Sequence, residues 1–144
     1  MQAALPALLG IHTFFVPLIL LAGLVTLICG IVLLVRRRGL SDVNAPMGQT
    51  SPLLTRIFRW ALSVTAALGA LQAVIGGLIF LTGARPGDSL HFVYGGIVLL
   101  AIPVAYAYSD QKRVRRDIII MVIAAVAIIG AAVRAFMTGA PPLH

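Results

Sequence analysis

Four long apolar runs, separated by short polar segments, organise this chain. The first extends over about 7 to 35 and stops at Arg36, Arg37 and Arg38. GLSDVNAPMGQTSPLL follows, and its prolines, glycines and Ser/Asn/Asp residues read as a loop. The second run covers about 60 to 82 and leaves through GARPGDS. The third covers about 90 to 108 and closes with SDQKRVRR; the fourth covers about 118 to 137 and closes with TGAPP. A hydrocarbon layer about 30 Å thick is crossed by about 20 helical residues. Backbone polar groups in that layer find no water, so each run is expected to be a helix. The predicted architecture is all-α: a four-transmembrane-helix antiparallel bundle forming a single domain over residues 1–144.

Composition agrees with this pattern. Hydrophobic residues make up 60% and charged residues 10% of 144, against about 25% charged in a soluble domain. Mean hydropathy is +1.06. The net charge of +7 would raise the question of nucleic acid in a soluble protein. Here the basic residues sit between apolar runs. Arg36, Arg37, Arg38, Arg56, Arg59, Lys112, Arg113, Arg115 and Arg116 fall on one side, while Arg85 and Arg134 fall on the other. The positive-inside effect explains them, leaves no role for nucleic acid, and places both termini and the 83–89 loop outside the cytoplasm. The expected location is a bacterial inner membrane, crossed several times. MQAALPALLG has no positive n-region, so the first run is expected to be a retained helix rather than a cleaved signal.

Several residues have structural readings in this frame. Cys29, the single cysteine, is expected to be a small buried hydrophobe. Trp60, Tyr106 and Tyr108 read as interfacial anchors. Pro103 is expected to bend the third helix, and Ser89 to cap it with Asp88 nearby. Gly69, Ala73 and Gly77 form a small-residue stripe, with Gly95–Gly96 and Ala127, Ala131, Ala135 and Gly130 on the later helices. Such stripes allow close helix packing, or leave room for a planar cofactor.

Candidate chemistry gathers at the outer end. His12 and His91 lie on separate helices at similar depth. Two imidazoles across a gap supply both axial ligands of a heme iron. Arg134 within the last helix and Arg85 in the outer loop are suited to heme propionates; lipid contact and a solvated loop charge are their alternatives. Gln72, nearer the middle of the second run, must hydrogen-bond within the bundle or to a ligand. Tyr94, one turn beyond His91, has the same two options. His144 reads as a tail residue. Asp88 and Asp110 are single and loop-borne, and no catalytic triad, phosphate loop or zincin motif is present. No catalytic residue is assigned, and a stand-alone enzyme or an ion-coupled transporter is disfavoured.

LQAVIGGLIFLTG at 71–83, followed by LHFVYGG at 90–96, resembles the heme A synthase family. That family has related four-helix halves that bind heme through paired histidines. His91 matches the histidine that opens a family helix. IHTFFVPLILLAGLVTLICGIVLLVRRR resembles the preceding ligand helix, making His12 its counterpart. IIGAAVRAFMTG at 128–139 resembles the Gly-x-x-x-Arg helix that begins a family half, although it comes last here. Only one bundle is present, and His12 lacks the family's Glu-x-x-His arrangement. The resemblance therefore implies heme binding rather than synthase chemistry.

The expectation is a membrane cytochrome with one heme b per chain, ligated by His12 and His91. It would exchange electrons with a quinol, a periplasmic carrier or a larger membrane complex. The alternative is an accessory subunit of a respiratory or photosynthetic complex, binding a chlorophyll-type pigment or no cofactor.

Overall fold

The computed structural model describes residues 4–37, 51–109 and 113–139. Within them the chain is helical in four stretches: α1 (Leu5–Arg37), α2 (Pro52–Leu81), α3 (Leu90–Ala107) and α4 (Val114–Gly139). All four are long and apolar enough to cross a membrane. At about 1.5 Å per residue, α1 is about 50 Å long and α3 about 27 Å. Thus α3 only just spans a hydrocarbon core, whereas α1 must tilt or project beyond it.

The helix ends follow local chemistry. Ser51 takes an extended conformation and its Oγ accepts from the Leu54 amide, with Pro52 at the first helical positions. Proline there gives up an amide that has no helical partner anyway. This cap starts α2 eight residues before the beginning of the second apolar run, inside the segment that the hydropathy pattern assigned to a loop. Leu81 and the Thr82 cap end it, and Gly83 turns the chain with φ of +93°, a left-handed conformation that favours glycine. Ser89 does not cap α3 through its side chain. Asp88 does so instead: its Oδ1 accepts from the Leu90 amide at 2.9 Å. At the other end of α3, Arg116 donates to the Tyr108 carbonyl at 3.1 Å, tying the α3–α4 connection.

The helices alternate in direction, and their packing is uneven. α1 lies along both α2 and α4, and α3 lies along α4, whereas α2 and α3 meet sparingly. The order around the bundle is α2, α1, α4, α3, with a loose seam between its two ends. One end of the bundle carries His12, Gln72, His91 and Ala135; the other carries Arg36, Arg37, Arg56, Arg59, Arg113, Arg115 and Arg116. The core runs through Ile19, Leu33, Phe58, Leu62, Ile102, Ile118 and Ile128. Near its middle, the Thr26 and Thr65 hydroxyls lie 3.5 Å apart between α1 and α2. Each donates its one proton to its own helix, Thr26 to the Ala22 carbonyl and Thr65 to the Ala61 carbonyl, so the two oxygens meet without a proton between them. Cys29 is buried, as expected.

The arginine end departs from a simple fringe of solvated charge. Arg36 is exposed, but Arg37 is only 2% exposed, and Asp117 in the first turn of α4 is 9% exposed. Both engage in polar or electrostatic interactions. Side chains one position apart point about 100° apart on a helix, so one arginine of the pair turns inward. Arg38, Asp110, Lys112 and His144 lie outside the described residues.

Candidate functional site

The loose α2–α3 seam opens at the histidine end into a cavity of about 540 Å³. That is a typical size for a cofactor site. Its walls are apolar side chains from all four helices together with a row of glycines: Gly69, Gly76, Gly77, Gly95, Gly96 and Gly139. His12, Gln72 and His91 line it, and so does Arg85.

The two imidazoles are neighbours in the cavity. Their ring centres are 6.1 Å apart and their planes are inclined by 46°. Each is backed by a glycine of a neighbouring helix. A methyl group added at Gly76 would come within 3.3 Å of His12 Cε1, and one at Gly139 within 3.0 Å of His91 Cε1. Glycine is therefore the residue that lets each ring sit where it does. The His91 Nδ1 is 2.9 Å from the Ala135 carbonyl. A carbonyl only accepts, so Nδ1 is the donor, and in the neutral tautomer that this contact selects, Nε2 keeps its lone pair. The His12 backbone carbonyl accepts from Gln72 Nε2 at 2.9 Å, which fixes the His12 turn against α2.

The remaining glycines around the cavity divide by function. A methyl group at Gly69 would approach the Val98 carbonyl oxygen to 2.8 Å, so that glycine seats α2 against the α3 backbone. At Gly77, Gly95 and Gly96 the same methyl group would meet nothing within 4 Å. Glycine in a helix costs about 1 kcal/mol relative to alanine. At these three positions no helix contact offsets that cost; what the missing side chains leave is open space. The stripe Gly69, Ala73, Gly77 therefore packs at one end and hollows out the bundle at the other.

The arginines and the tyrosine fall into two groups. The Arg85 guanidinium lies 3.9 Å from the centre of the Phe80 ring and donates to the Phe80 and Ala84 carbonyls. This holds it at the rim of the cavity. Arg134 and Tyr94 are not among the lining residues. Arg134 is exposed and lies 5.8 Å from the centre of the Tyr94 ring, which packs on the core. Three positions on a helix are a rotation of about 300°, so Tyr94 is displaced sideways from His91. Gly95, four positions on, lines the cavity instead. The sequence offered no signal for Gly76, Gly139 or the Ala135 carbonyl as partners of the histidines, because all three are defined by packing between distant segments.

Among the described residues, no group of three or more His, Cys, Asp or Glu side chains is placed to hold a metal ion. Two imidazoles with ring centres 6.1 Å apart suit a metal whose other ligands arrive with it, as in a metalloporphyrin. A transition-metal–imidazole bond is about 2 Å long, so ring centres 6.1 Å apart would leave room for one metal ion that His12 and His91 hold together. The residues present fit such a group. No protein-family profile, curated protein or solved structure matches the chain, so the likeness to the heme A synthase family rests on the short motifs around His12, His91 and Arg134 alone.

Proposed function

We propose that the chain is a membrane cytochrome, holding one b-type heme between α1 and α3 with His12 and His91 as its axial ligands. The observation that carries this reading is the imidazole pair, 6.1 Å apart across a glycine-lined cavity. Bound there, heme would supply one-electron chemistry between ferric and ferrous iron. The residues would do the rest. The Ala135 carbonyl would orient the His91 ring through Nδ1 and leave Nε2 for the iron. Gly76 and Gly139 let the rings stand opposite one another, and Gly77, Gly95 and Gly96 leave space for a flat macrocycle. Arg85, held at the rim, is available to a propionate, and the cavity walls are largely apolar. Arg134 lies outside the cavity lining and would meet a propionate only beyond the rim.

The arginine-rich end would face the cytoplasm by the positive-inside effect. The heme would then lie toward the outer side of a bacterial inner membrane, where a quinol or a periplasmic carrier could exchange electrons with it. The sparse α2–α3 seam favours a second reading. An accessory subunit of a larger membrane complex would close that seam against a neighbouring helix and hold a chlorophyll-type pigment, or no cofactor, in the same cavity.

The test is purification in mild detergent from cells supplied with a heme precursor. The expected preparation has about one heme per chain, a sharp reduced α-band and a b-type pyridine hemochrome. It loses the heme in His12→Ala and His91→Ala. A folded protein that carries no heme and takes up none when it is added contradicts the cytochrome. Co-purification with a membrane complex and a pigment in place of heme would favour the accessory subunit.

A further inference from the structure

The two histidines are not equally well supported. His91 has an acceptor for its Nδ1 proton in the Ala135 carbonyl. His12 Nδ1 is buried and has no hydrogen-bond partner, and neither does the nearby Gln72 Oε1. Among the described residues these are the buried side-chain polar atoms left without a partner at the histidine end. One is a nitrogen that becomes a donor when it carries the ring proton; the other is an oxygen that only accepts. Both belong to residues already in contact, since Gln72 Nε2 donates to the His12 carbonyl. That contact also settles which way the amide points. Its NH₂ must face the carbonyl, so Oε1 is the end left over.

The local backbone explains why this turn needs outside support. Residue 17 is proline, which has no N–H to offer the Thr13 carbonyl and weakens the helix one turn beyond His12. The Thr13 hydroxyl is committed to the Leu9 and Gly10 carbonyls. Gln72 and Gly76 are one turn apart on α2. The first fixes the His12 backbone and the second lies against the edge of its ring.

We infer that Gln72 is the positioning residue for His12: its NH₂ holds the His12 backbone, while its Oε1, after a small turn of the side chain, accepts the His12 Nδ1 proton. The tautomer with Nε2 unprotonated is then fixed on both histidines, by a backbone carbonyl for His91 and a side-chain carbonyl for His12. The purpose of this arrangement rests on the proposed heme site, although the hydrogen bond itself does not need heme. Metal-ligating histidines regularly give their second nitrogen's proton to such an acceptor, and losing it weakens metal binding about 10–100-fold.

The test uses the full chain in detergent micelles, labelled with ¹⁵N-histidine and free of heme, with His12 assigned by comparison with His12→Gln. Wild type is expected to show the Nδ1–H tautomer at His12. Gln72→Leu should show a mixture, and Gln72→Glu, which keeps an acceptor, should restore the single form. Gln72→Asn, shorter by one methylene, serves as a second disrupting variant if Gln72→Leu does not fold. Added hemin should then bind Gln72→Leu about 10–100-fold more weakly than wild type, with recovery in Gln72→Glu. An unchanged tautomer in both disrupting variants overturns the inference, even if heme binds as proposed. If Gln72 controls the tautomer but wild type takes up no heme, the hydrogen bond stands, and both the heme reading and the positioning role toward it fall.

Discussion

The two ends of this bundle use small residues in opposite ways. Toward the arginine end, Gly30 lies where an added methyl group would come within 2.5 Å of Val122 and 3.1 Å of Phe58. The core closes around it with Leu33, Phe58, Ile102 and Ile118. At the histidine end, Gly77, Gly95 and Gly96 face open space, and α2 stands away from α3. Glycine in the closed half lets helices touch, as is usual in membranes. Glycine in the open half keeps them from filling a cavity that two imidazoles face. A small-residue stripe is therefore informative only when its far side is known.

The largest expected effect breaks the comparison at its centre. His12→Ala or His91→Ala should abolish heme uptake, read by absorbance. Unfolding by denaturing detergent should change little, because both rings are only half-buried. Next, Gly30→Ala should destabilise the fold by about 1–3 kcal/mol, the usual cost of overpacking, in a denaturation curve followed by circular dichroism. In the open half the sign should reverse: Gly77→Ala or Gly95→Ala should stabilise the heme-free protein by about 0.5–1 kcal/mol through helix propensity. Gly77→Leu should instead obstruct the cavity and reduce heme uptake. Gly30→Ala and Gly95→Ala moving stability in the same direction would erase the distinction between the two ends. The smallest effects sharpen it. Thr65→Val should change stability by less than about 0.6 kcal/mol, the typical worth of an interhelical hydrogen bond in a bilayer, because both threonine protons already go to carbonyls of their own helices. Arg85→Gln should weaken heme binding by about 0.5–1 kcal/mol, as for an exposed ion pair, while Arg134→Gln leaves it unchanged in a hemin titration.

Much of the architecture was legible in the sequence because hydropathy and charge are local signals. Four apolar runs bounded by arginines require four helices whatever their packing. The helix starts were less legible. Ser51–Pro52 is a cap signal, but it lies within a segment whose composition also fits a loop, so α2 begins earlier than its apolar run. At the site, depth along each helix brought His12 and His91 to one level; Gln72, expected nearer the middle of its helix, reaches the His12 carbonyl instead, and all three line the cavity with Arg85. Rotation about the helix axis was harder to infer. It separates Tyr94 from Gly95, Arg134 from Ala135 and Arg37 from Arg36, and it depends on which neighbouring helix each face meets. The looseness of the α2–α3 seam, on which the cavity depends, is a property of four helices together and has no signature in any one of them.

The most direct test of the imidazole pair is low-temperature electron paramagnetic resonance of the ferric protein after stoichiometric hemin addition. Two axial histidines predict a low-spin signal of the bis-imidazole type, which disappears in both His12→Ala and His91→Ala. A high-spin signal in the wild type, or a low-spin signal that survives either substitution, would contradict ligation by His12 and His91.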